Sequence, residues 1–235
     1  MAATGRFGKG VKGSVSLNLC LAGGKYCDRG CKHHPCNGGR CYATRAAKLY
    51  PKVKKALTAK EGLDAGDIVQ QAIVEVDKKR KIPFFRFSVI GSLPNSEQAT
   101  PKLRKQLVKL VGNLHKRGVP MHLPVEEHGK AEYYKGLLGD KVVVRLSIQD
   151  GQDFLTYGGA CSVVVGGGET HKKGNTVMQQ RIVKAKAVAK MRRNLVGRAT
   201  MVCPAIGKPG DKSKMKCGQC TACSRSNIDV VYPLH

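Results

Sequence analysis

The chain has 235 residues, of which 42 are Lys or Arg and 16 are Asp or Glu, so its formal net charge at pH 7 is +26. Hydrophobic residues make up 41% of the chain, which is enough for a core and excludes wholesale disorder. No apolar run reaches the roughly 18–20 residues of a membrane helix, and the N-terminus lacks the apolar region of a secretory signal. We therefore expect a soluble, cytoplasmic protein that does not contact a membrane.

Strand and helix patterns alternate along the chain. Residues 1–13 combine Gly-Lys pairs with no apolar periodicity and are predicted to form a flexible basic arm. Short apolar or alternating runs then predict strands, and apolar residues that repeat every three to four positions predict helices. The predicted strands cover 14–21, 84–90, 121–125, 141–148, 161–165, 199–204 and 229–234. The predicted helices cover 41–60, 67–79, 101–117, 130–138 and 177–195.

This alternation predicts βα units and a parallel sheet. The strand count suits an α/β fold of the partial or full β/α (TIM-like) barrel type, with a doubly wound sheet as the alternative. No clean linker divides the sequence. We expect one β/α domain over residues 1–235, with Cys-rich metal-binding segments at both ends.

The C-terminal cysteines carry the most specific motif. They are Cys203, followed by Pro204, and the CxxCxxC run Cys217, Cys220 and Cys223. Cytosolic thiols stay reduced, so bunched cysteines indicate a metal rather than disulfides. Three closely spaced cysteines plus a remote one next to proline are typical of iron–sulfur ligation, whereas zinc ribbons use two separated CxxC pairs. The spacing favours a [4Fe–4S] cluster, with zinc as the alternative.

A second cysteine-rich segment covers residues 20–41. Its candidate ligands are Cys27, Cys31, Cys36 and Cys41, with Cys20 or His33 as substitutes. Either a second [4Fe–4S] cluster or a zinc ion suits this set. The loop follows the first predicted strand, where β/α folds gather their active sites. The isolated Cys161 lies in an apolar strand and is expected to be an ordinary buried side chain.

Two resemblances follow from these motifs. The loop ending in Cys41-Tyr42-Ala43 and the terminal pattern Cys203-Pro204 … Cys217-Gly-x-Cys220-x-x-Cys223 … Leu234-His235 resemble a poorly characterised family of bacteriophage gene products, in which a CYA or CFA element and a similar terminal cysteine set recur. The resemblance covers both ends of the chain and, more faintly, residues 85–91. It implies a phage or prophage origin, a location in the host cytoplasm, and metal binding without a settled activity.

The second resemblance is architectural. A β/α barrel with a Cys-rich loop after its first strand is similar to the radical-SAM enzymes, whose loop reads CxxxCxxC. Cys27 and Cys31 match the first half of that motif, but the third cysteine follows five or ten residues later. Gly167, Gly168 and Glu169 resemble the GGE element that binds the SAM amino group in that family, but here they follow a late strand. The resemblance therefore implies a cluster more than SAM itself.

Polar residues inside and after the strands indicate a binding site. Arg86 and Arg145 interrupt apolar strands, so each must face a polar cavity or pair with a carboxylate. Such arginines suit a phosphate or carboxylate ligand; the alternative is the polar face of an edge strand. Polar residues also follow predicted strands at 91–95, 126–128 and 149–153, where barrel enzymes place substrate contacts.

The charge predicts a polyanionic partner. The 177–195 helix carries six basic residues and no acidic one, and a surplus of this size favours nucleic acid. Two hypotheses for the function follow. The first is a phage-encoded iron–sulfur enzyme of redox or radical type that acts on nucleic acid or a nucleotide, its catalytic residues unassigned. The second is a non-catalytic nucleic-acid-binding protein stabilised by zinc or iron–sulfur centres.

Overall fold

A computed structural model describes residues 8–9, 15–17, 19, 48, 51–60, 62–87, 92–148, 151–165, 177–204 and 217–233. Within these residues, eight strands form one sheet. They are β1 (Gly8–Lys9), β2 (Val15–Ser16), β3 (Phe85–Arg86), β4 (Met121–Val125), β5 (Val143–Ile148), β6 (Cys161–Val165), β7 (Ala199–Val202) and β8 (Ile228–Pro233). Their order is β1-β2-β3-β4-β5-β6-β8-β7. Only the β1–β2 pair of this described sheet is antiparallel.

The helices lie mostly between consecutive strands. They are α1 (Pro51–Thr58), α2 (Ala65–Asp77), α3 (Pro101–Lys116), α4 (His128–Leu138), α5 (Gly151–Thr156), α6 (Val177–Val196) and the one-turn α7 (Cys217–Cys220), with 3₁₀ turns at Gly139–Lys141 and Ala222–Ser224. Side chains cap two of the starts: Asp64 accepts from the N–H of Gly66 at 2.7 Å, and Thr100 accepts from Leu103 at 3.2 Å. These bonds satisfy N–H groups that a helix start leaves unpaired.

Strand order explains why the two faces of the sheet differ. From β2 to β6 each strand lies beside its predecessor, and right-handed connections that advance in one direction place their helices on one face. The step from β7 to β8 runs backwards, because β8 lies between β6 and β7. The same handedness then predicts a connection over the opposite face. In agreement, the 3₁₀ turn Ala222–Ser224, which lies between β7 and β8 in the chain, contacts β4 and β8.

The helix-covered face contains the hydrophobic core. Alternate residues of a strand project to opposite faces, and paired residues of neighbouring strands project to the same face. The register therefore places Phe85, Leu123, Leu146, Val163 and Val231 together. All five are buried and belong to one cluster with apolar residues of α2, α3 and α4. The intervening positions include Arg86, His122, Arg145, Ser162 and Tyr232, which form a second, polar face.

The structure confirms the α/β class and the parallel sheet. The strands predicted at 121–125 and 161–165 are observed with those bounds. The consecutive order of β2 to β6 is compatible with a partial β/α fold. In the described part of the chain, no helix combines the length and apolarity needed to cross a bilayer.

Other expectations are tested only in part or differ from the structure. Gly8–Lys9 pairs with β2, and the rest of the predicted basic arm, residues 1–7 and 10–13, lies outside the described residues. The edge-strand alternative for Arg86 and Arg145 is wrong, because β3 and β5 lie inside the sheet. Residues Gly151–Thr156 form a helix that the sequence pattern does not predict.

Candidate metal centre

The described C-terminal cysteines lie around β7 and the segment that leads into β8. Cys203 follows β7, and its N–H donates to the carbonyl of Val231 at 2.9 Å. Cys217 and Cys220 are the first and last residues of α7, and Cys223 lies in the next 3₁₀ turn. Between these turns Thr221 adopts a left-handed backbone with φ 50°, a conformation that costs a β-branched residue energy. The chain therefore turns sharply between Cys220 and Cys223.

Two of these cysteines share one small buried cluster. Cys203 and Cys223 pack with Met201, Val230 and Tyr232 in a group separate from the main core. The sulfur of Cys223 lies 3.0 Å from the hydroxyl of Tyr232. Burial, together with the neighbouring Cys223, raises the pKa of Tyr232 well above its usual value, while the charge of Arg86 opposes that rise. The phenol is therefore neutral at pH 7 and has a proton to donate.

Arg145 holds the cysteine turn against the sheet. Its side chain is 0% exposed, and its two terminal nitrogens donate to four main-chain carbonyls. The acceptors are Cys161 at 2.8 Å, Ile228 at 2.7 Å, Cys223 at 3.2 Å and Arg225 at 3.0 Å. One fixed guanidinium thus ties the starts of β6 and β8 to the turn that carries Cys223.

A buried carboxylate anchors the start of β8. Asp229 accepts from Arg192 at 2.9 Å and from Arg198 at 3.0 Å, and it lies 3.9 Å from Arg145. Its other oxygen accepts from the N–H of Cys161 at 3.1 Å. Because Asp229 and Tyr232 lie on the same strand, this network also fixes the strand that presents the Tyr232 hydroxyl.

Strand-end polar residues predicted from the sequence come together beyond β4. The hydroxyl of Ser92 donates to Glu126 at 2.8 Å. Lys130 is 8% exposed and lies 3.9 Å from Glu126 and 3.7 Å from Glu127. The rings of His128 and of Tyr157, the residue after α5, make an edge-to-face contact with their centroids 4.8 Å apart. These groups pair with one another and form a polar rim at the carboxyl end of β4.

Many predicted site residues lie outside the described residues. These are Cys20, Cys27, Cys31, His33, Cys36, Cys41, Gly167, Gly168 and Glu169, together with the side chain of Cys217. Within the described part, no group of three or more His, Cys, Asp or Glu side chains is placed to hold a metal ion. Cys161 is fully buried, as expected, and burial raises the pKa of its thiol to about 12.

Sequence reasoning missed His122, Asp229 and Tyr232 as parts of this region. His122 and Tyr232 carry no local motif, since each lies in a short and mostly apolar strand. A signal for Asp229 was present: an acid at the start of an apolar strand needs a buried partner, and the chain has an excess of arginine and lysine to supply one.

Comparison with protein-family models, with curated proteins and with solved structures gives no match to this chain. The chemistry of the described residues is therefore the basis on which a function can be assigned. That chemistry combines two thiols and a phenol in one buried cluster, a guanidinium that holds the cysteine turn, and an adjacent polar sheet face.

Proposed function

We propose that this protein is an iron–sulfur protein in which Cys203, Cys217, Cys220 and Cys223 bind a [4Fe–4S] cluster. The observation that carries the proposal is that Cys203 and Cys223, from two separate segments of the chain, pack in one buried cluster. Cys220 is partly buried one turn before Cys223. Thiolates presented from a tight turn and from a remote residue next to proline are the ligand set of such clusters.

The surroundings of these thiols also fit an anionic cluster. The Tyr232 hydroxyl lies within hydrogen-bonding distance of the Cys223 sulfur, and such bonds and burial tune the potential of a thiolate-ligated cluster. A bound cluster supplies one-electron chemistry; the chain's own residues orient the ligands and limit their contact with water.

We extend the proposal to an enzyme of redox or radical type, with a second centre at Cys27, Cys31, Cys36 and Cys41. This extension rests on the sequence motifs, as does any role of Gly167, Gly168 and Glu169 in cofactor binding. Its structural support is the position of the C-terminal thiols beside a polar sheet face, where a substrate can lie next to a redox centre.

The test is anaerobic purification followed by iron, sulfide and zinc analysis and EPR spectroscopy after reduction. We expect a brown protein with about four irons per cluster. The Cys223→Ser and Cys203→Ser variants should each contain about four fewer irons per chain than the wild type. Cys161→Ala is the matched control, because Cys161 lies on the helix-covered face, and it should keep the wild-type iron content. A colourless protein that holds only zinc contradicts the proposal and favours the non-catalytic alternative.

A second observation favours nucleic acid as the partner. The exposed side chains of α6 include Lys186, Lys190 and Arg193, which lie three or four positions apart and so share one stripe of the helix. None of the three forms an ion pair within the described residues. A stripe of unpaired cations on an acid-free helix suits contacts to a phosphate backbone.

Fluorescence anisotropy with a labelled duplex and a labelled single strand tests this partner. Reversing all three charges, in Lys186→Glu/Lys190→Glu/Arg193→Glu, should weaken binding at low salt and flatten its salt dependence by about three slope units. The control reverses Lys105, Lys109 and Lys116 on α3, which changes the net charge equally. Equal losses in both variants would mean that only the overall charge, and not α6, attracts the nucleic acid.

A further inference from the structure

The polar face of the sheet contains a buried histidine without a partner. His122 is 1% exposed, and neither of its ring nitrogens has a hydrogen-bond partner among the described residues. Its described ring contact is a tilted one with Phe84, at 6.3 Å between centroids. Buried polar atoms in native proteins are nearly always paired with protein, water or ligand. These two nitrogens therefore indicate a missing polar group on this face.

The same face carries positive charge that the described residues do not neutralise. Arg86 is the register partner of His122, and its Nε is buried and unpaired in the described structure, as is the Nε of Arg145. Burial, with the charges of Arg86 and Arg145 adding to it, holds the pKa of His122 well below its usual range. The carboxylate of Asp229 is shared by the guanidinium groups of Arg145, Arg192 and Arg198, whereas Arg86 forms no ion pair within the described residues. An anion would balance this charge.

The turn that carries Cys223 borders this face of the sheet. The 3₁₀ turn Ala222–Ser224 contacts both β4 and β8, and Arg145 of β5 donates to the carbonyl of Cys223 in that turn. Arg86 and His122, paired in register on β3 and β4, therefore lie on a face that this turn covers in part.

We propose that this polar face binds an oxyanion, a phosphoryl or carboxylate group, between Arg86 and His122. The guanidinium of Arg86 can bind two oxygens of one group in parallel. Neutral His122 offers one N–H. Arg86 is partly exposed whereas His122 is buried, so the ligand enters past Arg86 and its anionic end reaches His122.

This site does not depend on the proposed cluster, although both lie on the polar side of the sheet. If both are present, the anionic group anchors a substrate beside the metal centre. The two proposals fail separately, because iron content reports on the cysteines and anion affinity reports on Arg86 and His122.

Isothermal titration calorimetry at constant ionic strength, with sodium chloride as the balancing salt, tests the site. Inorganic phosphate and acetate are titrated separately into the purified protein, and the tighter ligand identifies the phosphoryl or the carboxylate group. We expect Arg86→Gln to weaken the preferred anion at least tenfold without changing the iron content. Arg104→Gln, an equal charge change on α3, is the matched control and should bind as wild type.

A measurement on the unaltered protein keeps the test decisive if Arg86→Gln does not fold. The imidazole signals of His122 in a ¹³C–¹H NMR spectrum should shift on addition of the preferred anion, while those of the exposed His115 stay in place. Failure of both anions to bind at millimolar concentration, or equal weakening in Arg86→Gln and Arg104→Gln, overturns the proposal.

Discussion

The two faces of the sheet satisfy their side chains in different ways. On the helix-covered face, Phe85, Leu123 and Val231 are buried among apolar neighbours. The polar groups that intrude on this face are paired: Asp229 binds Arg192 and Arg198 and accepts a main-chain N–H. On the opposite face, polar side chains of neighbouring strands are buried without complete pairing within the described residues.

This difference separates a structural role from a functional one. Buried polar groups that are fully paired specify and hold a fold. Buried polar groups without partners cost stability, and a protein retains them where they act on something else. Arg145 has both paired and unpaired atoms. Its terminal nitrogens hold the cysteine turn, while its Nε is unpaired in the described structure. It joins the structural network to the candidate site.

The largest loss of stability is expected from a change to the fully paired buried carboxylate of Asp229. Asp229→Asn removes the charge that Arg192 and Arg198 share and leaves buried guanidiniums uncompensated. We expect the free energy of unfolding to fall by about 4 kcal/mol. Urea denaturation followed by circular dichroism measures it. Asp140→Asn, in an exposed 3₁₀ turn, is the control and should change stability by less than about 0.5 kcal/mol. A similar small loss for both would mean that the Asp229 network contributes little.

Variants of two neighbouring residues on β4 allow the two faces of the sheet to be compared directly. Leu123 belongs to the apolar core and His122 to the polar face. Leu123→Ala should cost about 3 kcal/mol of unfolding free energy, from lost burial and the cavity left behind. His122→Ala should cost about half as much, because it also removes two unpaired buried nitrogens. The same urea experiment checks both, and a greater loss for His122→Ala would show that the imidazole is a structural element.

Some features could be predicted from the sequence because they depend on local pattern. The strands at 121–125 and 161–165 are short apolar runs bounded by turn residues, and both have the predicted bounds. The position of β8 between β6 and β7 depends on contacts between segments distant in the chain, which no local pattern encodes. The cysteines of the candidate site could be named from their spacing, whereas His122 and Tyr232 could not, since only strand register places them on the same face of the sheet.

The pH dependence of the free energy of unfolding tests the environment of His122 on the polar face. Burial and the charges of Arg86 and Arg145 lower the pKa of His122 in the folded protein. Below about pH 6.5, the unfolded chain therefore binds a proton at His122 that the folded protein does not, and stability falls as the pH decreases. The slope should approach about 1.4 kcal/mol per pH unit; above pH 6.5 this contribution is constant.

Urea unfolding at pH 7.5, 6.5 and 5.5 measures that slope. His122→Leu should lose it. His115→Leu, which changes an exposed histidine on the helix side, should retain it. An unchanged pH dependence in His122→Leu would mean that His122 is protonated equally in the folded and unfolded states, and that the polar face does not exclude positive charge from this ring.

The smallest expected effect compares two tyrosine hydroxyls. Tyr232 lies on the polar face with its hydroxyl 3.0 Å from the sulfur of Cys223. Tyr133 lies on α4, and its hydroxyl is buried without a partner in the described structure. Tyr232→Phe should cost about 1 kcal/mol, whereas Tyr133→Phe should be neutral or slightly stabilising, since it removes an unpaired buried group. Thermal unfolding of both variants in one buffer measures the difference. Equal stabilities would show that the Tyr232–Cys223 contact contributes nothing to the stability of the fold, and that any role of this hydroxyl lies in its contact with the sulfur.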